Sequence, residues 1–600
     1  MKPGLAFGDH IRTEKIKRRH YRDDSISEMP LRFRGFLFPV VLVLFGLLLL
    51  GKLFSLQVVH GGKYQTLADS NRIRAQVIGA PRGVIFDRHG SPLVYNIPGF
   101  RRTTFDKKTG EVRETEVIQA EEALAQIAKG DHTISVDSLR EYPYKDAMSH
   151  ILGYIGQISA EEIKTASFVG YPSDAWIGKS GIEKEYEHVL RGENGQQLIE
   201  VDAMGKKVRA LGASDPIPGK DITLTVDAKL QQKVYDAIRG VQKGVVIVSR
   251  PNGEILAMVS QPSYDPNLFT LDSSYTASST SAYKTIESML TDNKNLPLLD
   301  RAISGTYPPA STFKLVTSAA GLENKIIDKS YTITDTGVLK VGEFSYANWY
   351  FTDYGKKEEG SIDVSRALAR SNDIFFYKLA EKVTVEKLSA MAKKVGIGKP
   401  LGIDLPGEAA GLVPSKNWKE EEIGEKWFLG DTFHYGIGQG YLLTTPLQVN
   451  AWTQVIANGG DLYQPYLLQT AEKRITEKNI LSEKAIEPIR QGMIDACTEG
   501  KGVAFPLYGF NVKNAKLPID NKNIMRVASG SSDMRQISVA CKTGTAQHGG
   551  EKTLPHAWIT LFAPAYNPEV VVTVLVEESG EGSKIAAPVA KKVLEGYFSR

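Results

Sequence analysis

The sequence predicts an α+β protein held to a membrane by one N-terminal helix. Three observations lead there. One long apolar run lies near the start, strand-like segments lie at both ends of the region 221–600, and mostly helical patterns fill the space between them.

The apolar run is "GFLFPVVLVLFGLLLLGKLFSLQVV", residues 35–59. It is long enough to cross a hydrocarbon core of ~30 Å, with Lys52 in its outer part. Lys2, Arg12, Lys15, Lys17, Arg18, Arg19, Arg22, Arg32 and Arg34 precede it. Cationic residues stay on the cytoplasmic side, so residues 1–34 form a cytoplasmic basic tail and the rest lies outside the cell membrane. The alternative is a cleaved signal peptide. The run is too long for one, and no small-x-small site follows before "VVHGGKYQ".

Residues 60–220 form one region. It contains "GAPRGVIFDRHGSPLVYN", a strand, a turn at Gly90 and a second strand. It ends in "LGASDPIPGKD", whose prolines and glycines mark a boundary. Beyond it, "LTVDAKLQQKVYDAI" changes from strand to helix texture. "KGVVIVSRPNGEILAMVSQ" is a hairpin turning at Pro251-Asn252-Gly253. Near the other end, "RQISVACKTGTAQ", "HAWITLFAP" and "EVVVTVLVEES" are strand-like, and "SKIAAPVAKKVLEGYF" is an amphipathic helix. One antiparallel sheet built from both ends and covered by helices is the economical packing.

Six hundred residues suggest two to four domains. A formal net charge of +4 gives no bulk electrostatic reason to bind nucleic acid. Cys497 and Cys541 are the two cysteines, which permits one bridge without implying it and makes no zinc site alone.

Chemistry enters at "GTYPPASTFKLVTSAAGLE", residues 305–323. Pro308 and Pro309 suit a first helical turn. Leu315, Val316, Ala319, Ala320 and Leu322 recur at helical spacing and mark a buried face. Ser311 then lies at the helix start with Lys314 on the same face. Unpaired first-turn N–H groups favour a developing oxyanion. An amine there becomes a base if burial beside another cation depresses its pKa from ~10.4. A serine at a helix start is ordinarily just an N-cap, and "SAYK", Ser281 to Lys284, repeats the four-residue pattern within a Ser/Thr-rich run that reads as an exposed loop.

Two further stretches sharpen the choice. "ALARSNDIFFYKLA" carries Ser371-Asn372-Asp373, and "VACKTGTAQHG" carries Lys542-Thr543-Gly544-Thr545. Lys108-Thr109-Gly110 repeats the second pattern but precedes both serines and so fails the order. Ser-x-x-Lys, Ser-x-Asn/Asp and Lys-Thr-Gly in this order form the combination of penicillin-binding proteins and serine β-lactamases.

With these motifs the chain resembles a class B penicillin-binding protein, and among those the elongation-type members. "PRGVIFDRHGSPL", "GKSGIEKEYEHVLRGENG", "EVDAMGKKVR", "GEILAMVSQPSYDPN", "YGIGQGYLLTTPLQ" and "HAWITLFAP" carry the resemblance along nearly the whole chain after the anchor. It implies an elongated mixed pedestal or dimerisation-like domain over 60–220. Over 221–600 it implies a transpeptidase domain with a five-stranded antiparallel sheet flanked by helices. It implies that Ser311 attacks the carbonyl of a stem-peptide D-Ala-D-Ala and that Lys314 takes its proton. Ser371 and Asp373 would line the site and relay a proton to the leaving D-alanine, with Asp373 standing where many relatives have Asn. Lys542 would depress Lys314 by repulsion and attract the terminal carboxylate. Asn372, Thr543, Gly544 and Thr545 would bind substrate, and the N–H groups of Ser311 and Thr545 would form the oxyanion hole. The implied partners are peptidoglycan stem peptides on a lipid-linked glycan strand, β-lactams, a polytopic SEDS-type glycan polymerase and elongation-complex proteins. No cofactor is implied.

Other readings have less support. "WIGKSG" mimics the end of a P-loop, but Ser173 replaces its first glycine. Asp373, His434, His548 and His556 have no metal-ligand spacing. Trp349, Tyr350 and Phe351 suit core or lid packing better than a substrate groove. A division-type transpeptidase, a D,D-carboxypeptidase or β-lactamase-like hydrolase, and a non-catalytic scaffold or β-lactam sensor remain the competing functions. The anchor and the region before residue 220 argue against a hydrolase, and a tail of residues 1–34 is short for a sensor's effector.

Overall fold

The structure is a computed structural model that describes residues 31–105, 112–131, 133–202, 207–272, 274–469, 474–513, 524–526, 534–550 and 553–599. Lys108-Thr109-Gly110 and most of the basic tail lie outside the described residues.

The chain forms two compact units. The first holds the N-terminal helices and the segment Gln197–Ala213. Its helix Leu31–Phe54 continues through a π-helical turn, Ser55–Val59. The apolar span Leu37–Val59 has a mean hydropathy of 2.5 and is not buried against protein. Such a surface is stable only in lipid, so the chain is a single-pass membrane protein among its described residues. Strands Ile73–Ile78, Gly195–Val201 and Lys207–Ser214 make a small sheet.

The second unit takes in Val77–Gln196 and the chain from Ser214 onward, so the stretch 60–220 contributes to both units. The expected hairpin forms between Ile85–Phe86 and Pro92–Phe105, with Gly90 at φ +81° in its turn. A buried charge cluster stiffens this part. Glu183 is fully buried and accepts from Arg82 Nε at 2.6 Å and Arg140 Nε at 2.7 Å. Glu187 meets Arg82 Nη2 at 2.7 Å.

The large sheet confirms the expectation of one antiparallel layer built from both ends. Its order is Ile255–Gln261, Gly244–Ser249, Val570–Val576, His556–Ala563, Ala540–Ala546, every neighbour antiparallel. These strands are buried along almost their whole length, because helices cover both faces. Ala228–Ile238 and the C-terminal Ala586–Phe598 pack on one face. Pro446–Asn458 and the helix Lys314–Glu323 join the core on the other. Cys497, at the end of helix Glu483–Ala496, bridges Cys541 with Cα atoms 6.1 Å apart, which ties that helix to the edge strand one residue before Lys542.

Candidate active site

Ser311 lies in a 3-10 turn, Ala310–Phe313, that runs into the helix Lys314–Glu323. The expected apolar face is buried, and it seats the helix in the core. The turn before it is fixed from two sides. Tyr307 and Thr444 exchange two backbone hydrogen bonds of 2.9 Å, and Trp558 Nε1 donates to Pro308 O at 3.1 Å. Ala310 is held at φ +47°, an unusual region for a residue with a Cβ. Its N–H donates to Gly438 O at 2.8 Å, and a Cβ on Gly438 would lie 2.1 Å from Ala310 O. Only glycine permits that approach.

The edge strand Ala540–Ala546 runs beside this turn. A Cβ on Gly544 would meet Pro309 O and Thr312 Cγ2 at 3.2 Å each, so Gly544 sits against the serine turn itself. Lys542, two residues earlier on the strand, shares that face. It is fully buried, and its Nζ donates to Ser371 Oγ and to Thr543 O, both at 2.9 Å.

Ser371 connects helices Val364–Arg370 and Asp373–Val383 in a left-handed conformation, φ +53°. Such backbone strain persists only where the surroundings enforce it. Lys314 is fully buried too. Its Nζ donates to Ser371 O at 2.8 Å and to Asp373 Oδ1 at 2.6 Å, with Ser371 Oγ at 3.4 Å. Two amines from two layers thus converge on one hydroxyl. The structure brings Ser311, Lys314, Ser371, Asp373, Lys542 and Gly544 to adjoining elements. Thr543 is buried. Thr545 is exposed at the strand end, its Oγ1 accepting from Gly582 N at 3.3 Å and its carbonyl receiving Gln439 Nε2 at 3.4 Å.

Burial acts on both amines. Burial pushes Lys314 below the ordinary lysine range, while Asp373 pulls it back. Lys542 is pushed well below that range too, by burial first and then by the neighbouring Lys314. The sequence suggests a Lys314 depressed by Lys542. In the structure burial lowers both amines, and Asp373 favours the ammonium of Lys314, to which it is held at hydrogen-bonding distance.

Asn372 is engaged within the protein. Its side chain is fully buried, Oδ1 capping the next helix from Phe375 N at 2.9 Å and Nδ2 donating to Asp335 Oδ2 at 2.7 Å. Both ends of the amide are used within the protein, which makes Asn372 the cap of that helix. Asn348 was not legible as part of the site. It donates to Asp335 Oδ2 at 2.8 Å and accepts from Asp373 N at 3.2 Å. Only its position one residue before the aromatic stretch hinted at it. Trp349, Tyr350 and Phe351 are half-buried, with Trp349 Nε1 donating to Arg370 O at 3.1 Å.

The duplicate serine pattern is not a loop lying free in solvent. Ser281 is buried and donates to Asp146 Oδ1 at 2.6 Å, while Lys284 is exposed. His548 and His556 stack with ring centroids 3.8 Å apart, and no cluster fit to hold a metal ion occurs among the described residues.

Comparison with known proteins agrees with this fold. The penicillin binding protein transpeptidase domain family matches residues 243–595, and the penicillin-binding protein dimerisation domain family matches 111–224. Peptidoglycan D,D-transpeptidase MrdA of Salmonella typhimurium is 32% identical, with 94% of this chain and 95% of that protein covered. Penicillin-binding protein 2 of Helicobacter pylori, solved in complex with MreC, is 27% identical with a TM-score of 0.70, covering 88% of this chain and 98% of that one. A peptidoglycan synthase complex that coordinates polymerization and crosslinking contains a chain 26% identical, with a TM-score of 0.67 and coverage of 96% and 99%. The fold and these matches define a penicillin-recognising serine transpeptidase class. The chain belongs to the penicillin-binding protein transpeptidase family, on its class B, penicillin-binding protein 2 branch.

Proposed function

We propose that the protein is a membrane-anchored serine D,D-transpeptidase that cross-links peptidoglycan stem peptides during cell elongation. The observation that carries this reading is the convergence of Lys314 and Lys542 on Ser371 Oγ, beside the turn that holds Ser311. Ser311 Oγ attacks the penultimate D-alanine carbonyl while Lys314, in its neutral form, takes the hydroxyl proton. N–H groups of Ser311 and Thr545 stabilise the oxyanion; losing one such donor typically costs about 10² to 10³ in rate. The C–N bond breaks, Ser371 relays a proton to the departing D-alanine amine, and an ester to Ser311 remains. An amine from a neighbouring stem peptide attacks that ester, forms the cross-link and returns the proton to Ser311. Lys542 and the hydroxyls of Thr543 and Thr545 hold the terminal carboxylate. A β-lactam enters by the same first step and stays as the acyl-enzyme.

Residues 60–220 act as the pedestal and 221–600 as the catalytic domain, outside the membrane with the basic tail in the cytoplasm. The Helicobacter relative is found with MreC and another relative sits in a synthase complex. By extension, elongation-complex proteins and a polytopic SEDS-type glycan polymerase are the partners. Product analysis tests the reaction. Incubated with nascent lipid-linked glycan strands, the protein yields dimeric muropeptides and one D-alanine per link; monomers with free D-alanine alone make it a carboxypeptidase.

A further inference from the structure

Asp373 uses both carboxylate oxygens inside the protein. Oδ1 accepts from Lys314 Nζ at 2.6 Å, and Oδ2 accepts from the Trp349 N–H at 3.1 Å. Its own N–H donates to Asn348 Oδ1 at 3.2 Å. These partners flank the site from different elements. Lys314 begins the serine helix, whereas Trp349 begins the short turn Trp349–Asp353. That turn carries an aromatic group packed on itself: Trp349 contacts Tyr350 and Tyr354 with ring centroids 5.8 and 5.7 Å apart, and Tyr350 stacks on Tyr354 at 5.2 Å. An amide at position 373 could accept from either donor, but it could not neutralise an ammonium.

We propose that Asp373 is a positioning residue that ties the charge on Lys314 to the seating of the aromatic turn, and so sets the pH at which Ser311 becomes acylated. The inference rests on reading Ser311 as nucleophile and Lys314 as its base, and it adds a control on that site. While Oδ1 holds Nζ, the ammonium is favoured, and an ammonium cannot accept the serine proton. Acylation then waits for Lys314 to lose its proton, and its rate falls as pH falls. The surrounding charges are few. Lys542 faces the pair from the edge strand, and Tyr377 faces Asp373 from one turn along its own helix. The Phe376 ring lies 5.4 Å from Lys314 Nζ. Arg370, at the end of the preceding helix, is engaged by Glu359 at 2.7 Å, and Asp335 is engaged by Asn348 and Asn372. Among the described residues, Asp373 is thus the carboxylate placed on Lys314.

The test is the rate of acylation by a fluorescent penicillin from pH 5 to 10, using the full chain in detergent. In the wild type the rate has an acid limb. In Asp373→Asn that limb moves to lower pH by at least about one unit, since an opposite charge at this range shifts a partner by about one to three. Asp373→Ser, a small neutral residue suited to a helix start, moves the limb in the same direction and carries the test if the amide variant does not fold. Asn348→Ala leaves the ion pair in place. With the support of the aromatic turn weakened, its limb moves in the same direction but by less than in the neutral variants. Neutral variants that are folded, still modified at Ser311 and unchanged in limb position overturn the proposal. So does a limb that moves equally in Asn348→Ala. Loss of the Ser311 adduct from the wild type itself defeats the underlying reading instead.

Discussion

Ser311→Ala abolishes covalent labelling by penicillin and lowers stem-peptide cross-linking by on the order of 10⁴-fold or more. The expected loss is this large because the neighbouring groups act as a unit. Lys314 and Lys542 are buried at the cost of desolvating two amines, an arrangement that has value only beside a hydroxyl to activate. The substitution removes that hydroxyl and little else. Ala310, Pro309 and Gly438 hold the turn through backbone contacts, so the variant folds. Gel fluorescence with labelled penicillin, alongside thermal unfolding, checks both halves. A folded Ser311→Ala protein that still forms the adduct contradicts the assignment.

Glu183→Ala destabilises the second unit, Val77–Gln196 with the chain from Ser214 onward, by about 3–5 kcal/mol, the typical effect of leaving buried charge uncompensated. Arg82 and Arg140 both bond this one carboxylate, and Tyr142 OH lies 3.4 Å from it. Burial alone would raise the Glu183 carboxyl, but Arg140 and then Arg82 overcome it and hold it below the ordinary range. The sign follows from that depression. The ion cluster stabilises above the usual carboxylate pKa of about 4.3, and its contribution is lost as pH falls through the depressed value. Chemical denaturation at pH 7 measures the loss as a lower midpoint. A wild-type midpoint in Glu183→Ala would mean that the cluster contributes nothing.

What could be read from the chain differs between local and distant features. The serine helix was legible, because its apolar spacing, its prolines and Lys314 all lie within nineteen residues of sequence, 305–323. The sheet was legible because four of its five strands are mostly apolar runs. The capping role of Asn372 was not legible, since a three-residue motif does not say which side chain faces inward; the turn at Ser371 and the helix that follows decide it. The Asp373–Lys314 pair and the Asn348–Asp335 contact carry no local signal, their members being brought together by tertiary packing of separate elements. The Glu183 cluster joins residues 101 and 43 positions apart, and nothing periodic marks either arginine. Ser281 read as exposed because its neighbours are polar, yet Asp146 from a distant segment buries and bonds it.

The central claim is that the fold makes one alcohol among many reactive at neutral pH. Peptide mapping by mass spectrometry after saturation with benzylpenicillin tests it most directly. The account predicts a single adduct on the peptide containing Ser311, at a stoichiometry of one. An adduct on the peptide of Ser281 or Ser371, or none on a folded protein, would contradict it.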